Sequence, residues 1–246
     1  MEKNFLLTLE YDGSEYHGWQ KQKNDRTIQE EVENAIWAMT KQKITLIGSG
    51  RTDAGVHALN QTANFHCRTN LSPQIFVKGL NSLLPEDIVI KKCIETDIGF
   101  NARYDAISKT YHYKIRNRDL PSVIDRQYEW FIRRKLNLDA MKKASSHIEG
   151  KHDFKAFEGT GSPRSHTIRN VYKACFQEAA EGCIIFIIKA DGFLKYMVRN
   201  LVGTLVEVGH GRISPEAFRE ILLSKDRANA GATAPPQGLC LVSVEY

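Results

Sequence analysis

TIQEEVENAIWAMTKQKITLIGSGRTDAGVHALNQTANFHC (Thr27–Cys67) is the stretch on which the fold reading turns. Its first part sets Ile28, Val32, Ala35, Ile36 and Met39 at helical spacing, and Thr27 with Glu30 has the form of a capping box. A helix from about Thr27 is expected. A short apolar run at Ile44–Ile47 follows, then a glycine-dense break, then a second extended run at Thr62–Cys67. Working outward, a strand at Phe5–Tyr11 precedes the helix. A second helix begins near Pro73, carries Ile75, Phe76, Leu80, Leu83 and Leu84, and stops at Pro85 before a strand at Ile88–Ile94. The order is β-α-β-β-α-β.

The rest of the chain repeats the mixture: a strand at Thr110–Ile115, a helix around Leu138–Ile148, strands near Val171–Phe176 and Cys183–Ala190, helices from Leu194 and from Pro215, and a last strand at Leu239–Tyr246. The fold class expected is α/β (α+β), with two ferredoxin-like or RRM-like mixed-sheet subdomains packed side by side, residues 1–105 and 106–246. A cleft between such halves is a natural seat for a large ligand.

Composition narrows the class. With 246 residues, 42% hydrophobic and 26% charged, the chain can bury a substantial core and is not disordered. The balance of 34 Lys+Arg against 29 Asp+Glu gives +5, which permits a nucleic-acid partner without requiring one. Five scattered cysteines, Cys67, Cys93, Cys175, Cys183 and Cys240, contain no Cys-x-x-Cys pair and frame neither a disulfide scaffold nor a zinc site. The N-terminus meets Glu10 and Asp12 before a signal-peptide core forms, and Arg199 interrupts the best apolar run, which is short of the roughly 18 residues a membrane span needs. A cytoplasmic location is expected.

The densest feature is Gly48–Ala58, GSGRTDAGVHA, with three glycines in its first eight positions and one cation and one anion two positions apart. One reading is a turn in which Asp53 caps its own backbone and Arg51 is a surface charge. The loop is too long for an ordinary hairpin, however, and a lone ionised Asp53 can act as nucleophile, base or charge stabiliser, kept ionised by an adjacent guanidinium. His57 reads as a packing or hydrogen-bonding residue, since no Gly-x-Ser-x-Gly elbow is present. The glycine spacing fits neither a phosphate loop nor a dinucleotide fingerprint, so no nucleotide cofactor is expected. His147, His152 and Asp153 lack a further ligand and propose no metal site.

Other residues suggest an RNA surface. Tyr111 and Tyr113 share one strand face, with His112 and Lys114 on the other; Tyr113 reads as core, while a tyrosine face can stack on bases. Lys109, Lys114, Arg116, Arg118, Arg126, Arg133, Arg134 and Lys135 could contact phosphates. In the helix after Gly192, Leu194, Val198, Leu201, Leu205 and Val208 form a core stripe, and Tyr196, Arg199, Asn200 and Gly203 another face. Arg199 could reach a carboxylate in the cleft or form a surface ion pair worth under ~1 kcal/mol.

Seven stretches occur in one order: YDGSEYHGWQ (Tyr11–Gln20), GSGRTDAGVHALNQ (Gly48–Gln61), LNSLLPEDI (Leu80–Ile88), FNARYDAISKTYHY (Phe100–Tyr113), GKHDF (Gly150–Phe154), GFLKYMVRNLVGTL (Gly192–Leu205) and TAPPQGLCL (Thr233–Leu241). In these the chain resembles the bacterial tRNA pseudouridine synthases of the TruA type. The resemblance implies a homodimer that isomerises uridine to pseudouridine at positions 38, 39 and 40 of the tRNA anticodon stem-loop, without a cofactor, in an RNA-binding cleft. It implies that Asp53 is the essential aspartate, that Tyr111 stacks on the target base, that Arg51 helps displace it, and that Arg199 pairs with the aspartate. Ser49 and Asn64 depart from the commoner Ala and His.

The chemistry accords with a lone carboxylate. The N1–C1′ bond breaks and the same base rejoins through C5, so no atom is lost and no redox step is needed. Asp53 could attack C1′, attack C6, or remove the 2′ proton; the sequence leaves all three open. Two rivals stand beside this reading: a catalytically silent RNA-binding module, and a glycoside or nucleoside hydrolase, which usually pairs two carboxylates.

Overall fold

The computed structural model describes residues 1–161 and 166–246. The chain is mixed α/β and divides into two packed units, residues 1–107 with 241–246, and residues 108–240.

In the first unit β1 (Glu2–Tyr11), α1 (Ile28–Thr40), β2 (Ile47–Gly48), β3 (His57–Arg68), α2 (Pro73–Leu83) and β4 (Ile88–Thr96) follow in the expected order. β1 lies between β4 and β3, antiparallel to both. Alternation along β1 turns Phe5, Leu7 and Leu9 to the buried face. Phe5 sits opposite Phe65 on β3, and Phe76 of α2 closes the cluster with centroids 4.8 and 5.4 Å from the two rings. The α1 stripe of Ile28, Val32 and Ile36 is fully buried.

Two local expectations fail for identifiable reasons. Thr27 is the N-cap of α1, but its side chain makes no capping bond, and Glu30 pairs with Lys21 at 3.1 Å instead of closing a capping box. The first helical N–H groups are already satisfied: Ile28 N donates to Gly18 O (3.2 Å) and Gln29 N to Trp19 O (3.0 Å). The strand expected at Ile44–Ile47 shrinks to Ile47–Gly48, because Glu33 accepts the Leu46 N–H (3.0 Å) and Gln29 donates to the Leu46 carbonyl (3.1 Å). Leu46 has nothing left for a ladder.

The second unit holds β5 (Ser108–Asn117), β6 (Trp130–Ile132), α3 (Leu138–Ser145), β7 (Gly150–Asp153), β8 (Ile168–Ala179), β9 (Cys183–Ala190), α4 (Met197–Gly209) and α5 (Pro215–Ser224). Its strands run β5-β9-β8-β7, with β6 parallel beside β5. β6 and β7 are additions to the sequence reading. α4 starts later than the expected Leu194, since Tyr196 takes φ 60° and cannot join a right-handed helix. The face of α4 that carries Asn200 is interior: Asn200 donates to Phe157 O (2.8 Å) and accepts from Thr233 Oγ1 (2.6 Å). A Cβ at Gly203 would lie 1.8 Å from Ala232 O, so only glycine allows that approach.

The last strand, β10 (Leu239–Glu245), leaves the second unit. From Leu241 onward it belongs to the first, beside β3, where a linear reading of the chain keeps it in the second half. Asn60 Nδ2 donates to Val242 O (2.8 Å), Ile107 N to Glu245 O (2.8 Å), and Tyr246 Oη to Ala102 O (3.0 Å).

Candidate active site

Residues 49–56 connect the antiparallel pair β2 and β3 and form the loop that carries Arg51 and Asp53. Arg51 is exposed and Asp53 half-buried, whereas Thr52 and Val56 are buried, so the backbone is anchored on both sides of the acid. At its neck Ser49 N donates to Thr62 O (2.8 Å), Ser49 Oγ to Gln61 Oε1 (2.7 Å), and Gln61 Nε2 to Gly50 O (3.0 Å). Thr52 Oγ1 lies 2.8 Å from Tyr11 Oη.

The middle of the loop is gripped by residues 12–19. Trp19 N donates to Thr52 O (3.1 Å) and Gly55 N to Tyr16 O (3.2 Å), bracketing Asp53 from the preceding and following residues. Such proximity requires glycine at two places: a Cβ at Gly13 would lie 2.1 Å from Val56 O, and Gly18, at φ +92°, brings the chain within reach of Thr52 O. Beneath the loop, buried His57 is a hydrogen-bonding residue. Its Nδ1 accepts from Gly13 N (3.1 Å) and lies 3.0 Å from Asp12 Oδ1.

In the second unit Tyr111 is 7% exposed and packs edge-on against Phe193, centroids 5.0 Å apart. Tyr113 is core: fully buried, it donates to Pro235 O (2.8 Å), and burial pushes its phenol far above the usual range. On the opposite strand face, burial and then Lys114 and Lys173 hold the His112 imidazole below its ordinary value. Arg199 Nε donates to Ala234 O (2.8 Å), and its guanidinium lies 4.9 Å from the Tyr196 ring centroid. One segment, 193–196, therefore supports both Tyr111 and Arg199.

Some sequence candidates take other roles. Arg116 is not a phosphate contact; it is buried and gives Glu129 Oε1 and Oε2 bonds of 3.0 and 2.9 Å from Nε. His152 Nε2 lies 2.8 Å from Glu149 O, and Asp153 is held by Thr167 and, at 3.1 Å, by Lys225. The departures Ser49 and Asn64 are buried and bonded: Ser49 at the loop neck, Asn64 to Asn4 Oδ1 (2.9 Å) and the Ala102 N–H (2.8 Å). The residues that sequence reasoning missed are Tyr16, Trp19, Gln61 and Asp87. All lie within stretches that carry the family resemblance, which is the signal by which they could be found.

A family model described as tRNA pseudouridine synthase matches residues 8–105 and 144–246. The chain is 48% identical over 244 residues to tRNA pseudouridine synthase A of Clostridium acetobutylicum, covering 99% of this chain and 100% of that protein. It is 47% identical to the protein of that name from Thermoanaerobacter sp. (strain X514) and 44% to that of Geotalea daltonii, each with 99% and 100% coverage. Among solved structures, the archaeal box H/ACA sRNP Nop10–Cbf5 complex is similar with TM-score 0.34 and 14% identity, covering 82% of this chain and 44% of that one.

Proposed function

The chain belongs to the tRNA pseudouridine synthase family, and we propose from that premise that it isomerises uridine to pseudouridine at positions 38, 39 and 40 of the tRNA anticodon stem-loop. The supporting observation is the grip on Asp53: the Thr52 carbonyl and the Gly55 N–H are both held by residues 12–19. A carboxylate with fixed backbone on both sides can be aimed at a reacting atom, which is worth several orders of magnitude in rate.

The reaction then draws Asp53 and Arg51 from the first unit and Tyr111 and Arg199 from the second. Leaving the stack costs the target uridine a few kcal/mol, which a stacking tyrosine and an inserted arginine offset. Arg199 pairs with Asp53. The departing and returning base is the same, so Asp53 alone can serve as nucleophile or base. The enzyme works as a cytoplasmic homodimer. Among the described residues no helix is long and apolar enough to cross a membrane.

Release of tritium from tRNA labelled at uridine C5 tests the proposal, because formation of the C5–C1′ bond expels that hydrogen. Wild-type protein releases label, and Asp53→Asn releases none while binding tRNA within about threefold, since the change removes no cation that could meet a phosphate. Intact binding with no release by the wild type would leave an RNA-binding protein without this chemistry.

A further inference from the structure

Tyr16 grips the Asp53 loop with its backbone, and its side chain is itself held from outside the loop. The ring is 3% exposed; its hydroxyl donates to the Asp87 carboxylate, and the Arg26 guanidinium lies 4.5 Å from the ring centroid on a face of the ring. Arg26 is fixed in turn by Glu31 (2.8 Å) and lies 3.7 Å from Asp87. Asp87 also accepts the Asp12 N–H on its carbonyl (3.0 Å), so it holds both the first residue of the gripping segment and the Tyr16 side chain. Arg26 O accepts the His17 N–H (2.9 Å). Asp87 is the turn residue immediately before β4, whose first residue, Ile88, pairs with Tyr11 of β1. The path from sheet to catalytic loop is then Asp87, Tyr16 side chain, Tyr16 carbonyl, Gly55 N–H.

We propose that the Tyr16–Asp87 pair, backed by Arg26, is a positioning device that sets the aim of Asp53, with no contact of its own to the reacting atoms. The inference rests on the function proposed above. A phenylalanine at position 16 would fill the same volume, so the ring alone does not account for the buried hydroxyl. That hydroxyl stays protonated, since burial and the adjacent carboxylate push its dissociation well above the ordinary tyrosine range. It remains a donor wherever the enzyme works.

The test is Tyr16→Phe in the full chain, read by kcat and KM for C5-tritiated tRNA and by amide exchange of residues 52–56. The expected result is a kcat lower by roughly tenfold to a hundredfold, as for a sub-ångström error of aim. KM stays within about threefold, unfolding remains cooperative, and exchange at Gly55 accelerates about tenfold, as for one weakened hydrogen bond. Asp87→Asn keeps an acceptor oxygen and restores most of the rate, whereas Asp87→Ala does not. The double variant Tyr16→Phe/Asp87→Ala loses no more than the worse single change, because both break one path. Wild-type kcat and exchange in Tyr16→Phe would overturn the proposal, as would additive losses. Should Tyr16→Phe fail to fold, Asp87→Ala decides by the same readouts, and misfolding of both would reduce the pair to a folding element. Exchange needs no turnover, so a wild type that releases no tritium refutes the function and leaves the pair to be judged on its own.

Discussion

Loop 49–56 and loop 118–128 are both irregular and both follow a strand, yet they are held in opposite ways. The first, with His57 just beyond it, is tied across 33 to 44 positions: Trp19 N to Thr52 O, Gly55 N to Tyr16 O, Thr52 Oγ1 to Tyr11 Oη at |i−j| 41, and His57 to Gly13 at |i−j| 44. The second is tied mainly to itself, by Arg118 to Leu120 O at |i−j| 2, Asp125 N to Ser122 Oγ at |i−j| 3 and the turn closed by Tyr128 N, and it leaves Leu120, Val123 and Ile124 at 73, 75 and 86% exposure. Its distant ties among the described residues lie near its base: the exposed pair Arg118 with Glu181 at 3.1 Å and the buried clamp of Arg116 with Glu129. Distant bonds fix where a side chain points; local bonds fix only the turn. A loop that must aim one carboxylate needs the former.

Three substitutions break or sharpen that contrast. Gly13→Ala should do the most damage: the added Cβ would lie 2.1 Å from the Val56 carbonyl oxygen, so one segment must move and Asp53 moves with it. Loss of kcat by about a hundredfold or more, with about 3 kcal/mol of stability, is expected from tritium release and urea unfolding. Glu129→Ala comes next. It leaves buried Arg116 with Asp125 at 3.8 Å and the Glu181 carbonyl at 3.1 Å, and should cost about 3 kcal/mol in urea unfolding while kcat per folded molecule holds within about twofold. A rate loss equal to that of Gly13→Ala would erase the distinction between the two loops. Ile124→Ser, at an 86% exposed position, should move stability by less than about 0.5 kcal/mol and leave the rate alone. A larger shift in the urea midpoint would mean that the second loop is held from outside after all.

What the sequence discloses follows the range of the forces. α2 is legible because its limits are written locally: Ser72 accepts from Ile75 N, Pro73 takes the first turn, and Pro85 lies just beyond the end. The glycine-dense loop and the strands β1 and β4 are legible for the same reason. β6 and β7, of three and four residues, are too short to show a period. β2 fails because Gln29 and Glu33, on a helix, claim the backbone of Leu46. Of the residues proposed for the reaction, Arg51, Asp53, Tyr111 and Arg199 stand out as residue types, but the grip of residues 12–19 leaves no periodic trace, since it joins backbone atoms of segments far apart in the chain. Arg116 misleads for the converse reason: its charge suggests solvent, and its buried partner is thirteen residues away.

The return of residues 241–246 to the first unit puts an order on synthesis. On the ribosome, the half that carries Asp53 emerges first, but the edge of β3 not taken by β2 stays open until the second unit has been translated and β10 can be laid beside it. Tyr246, which bonds the Thr62 hydroxyl and the Ala102 carbonyl, is translated only after the second unit. A translation product stalled before residue 241 would therefore contain every residue of the Asp53 loop and still lack the strand that completes its sheet.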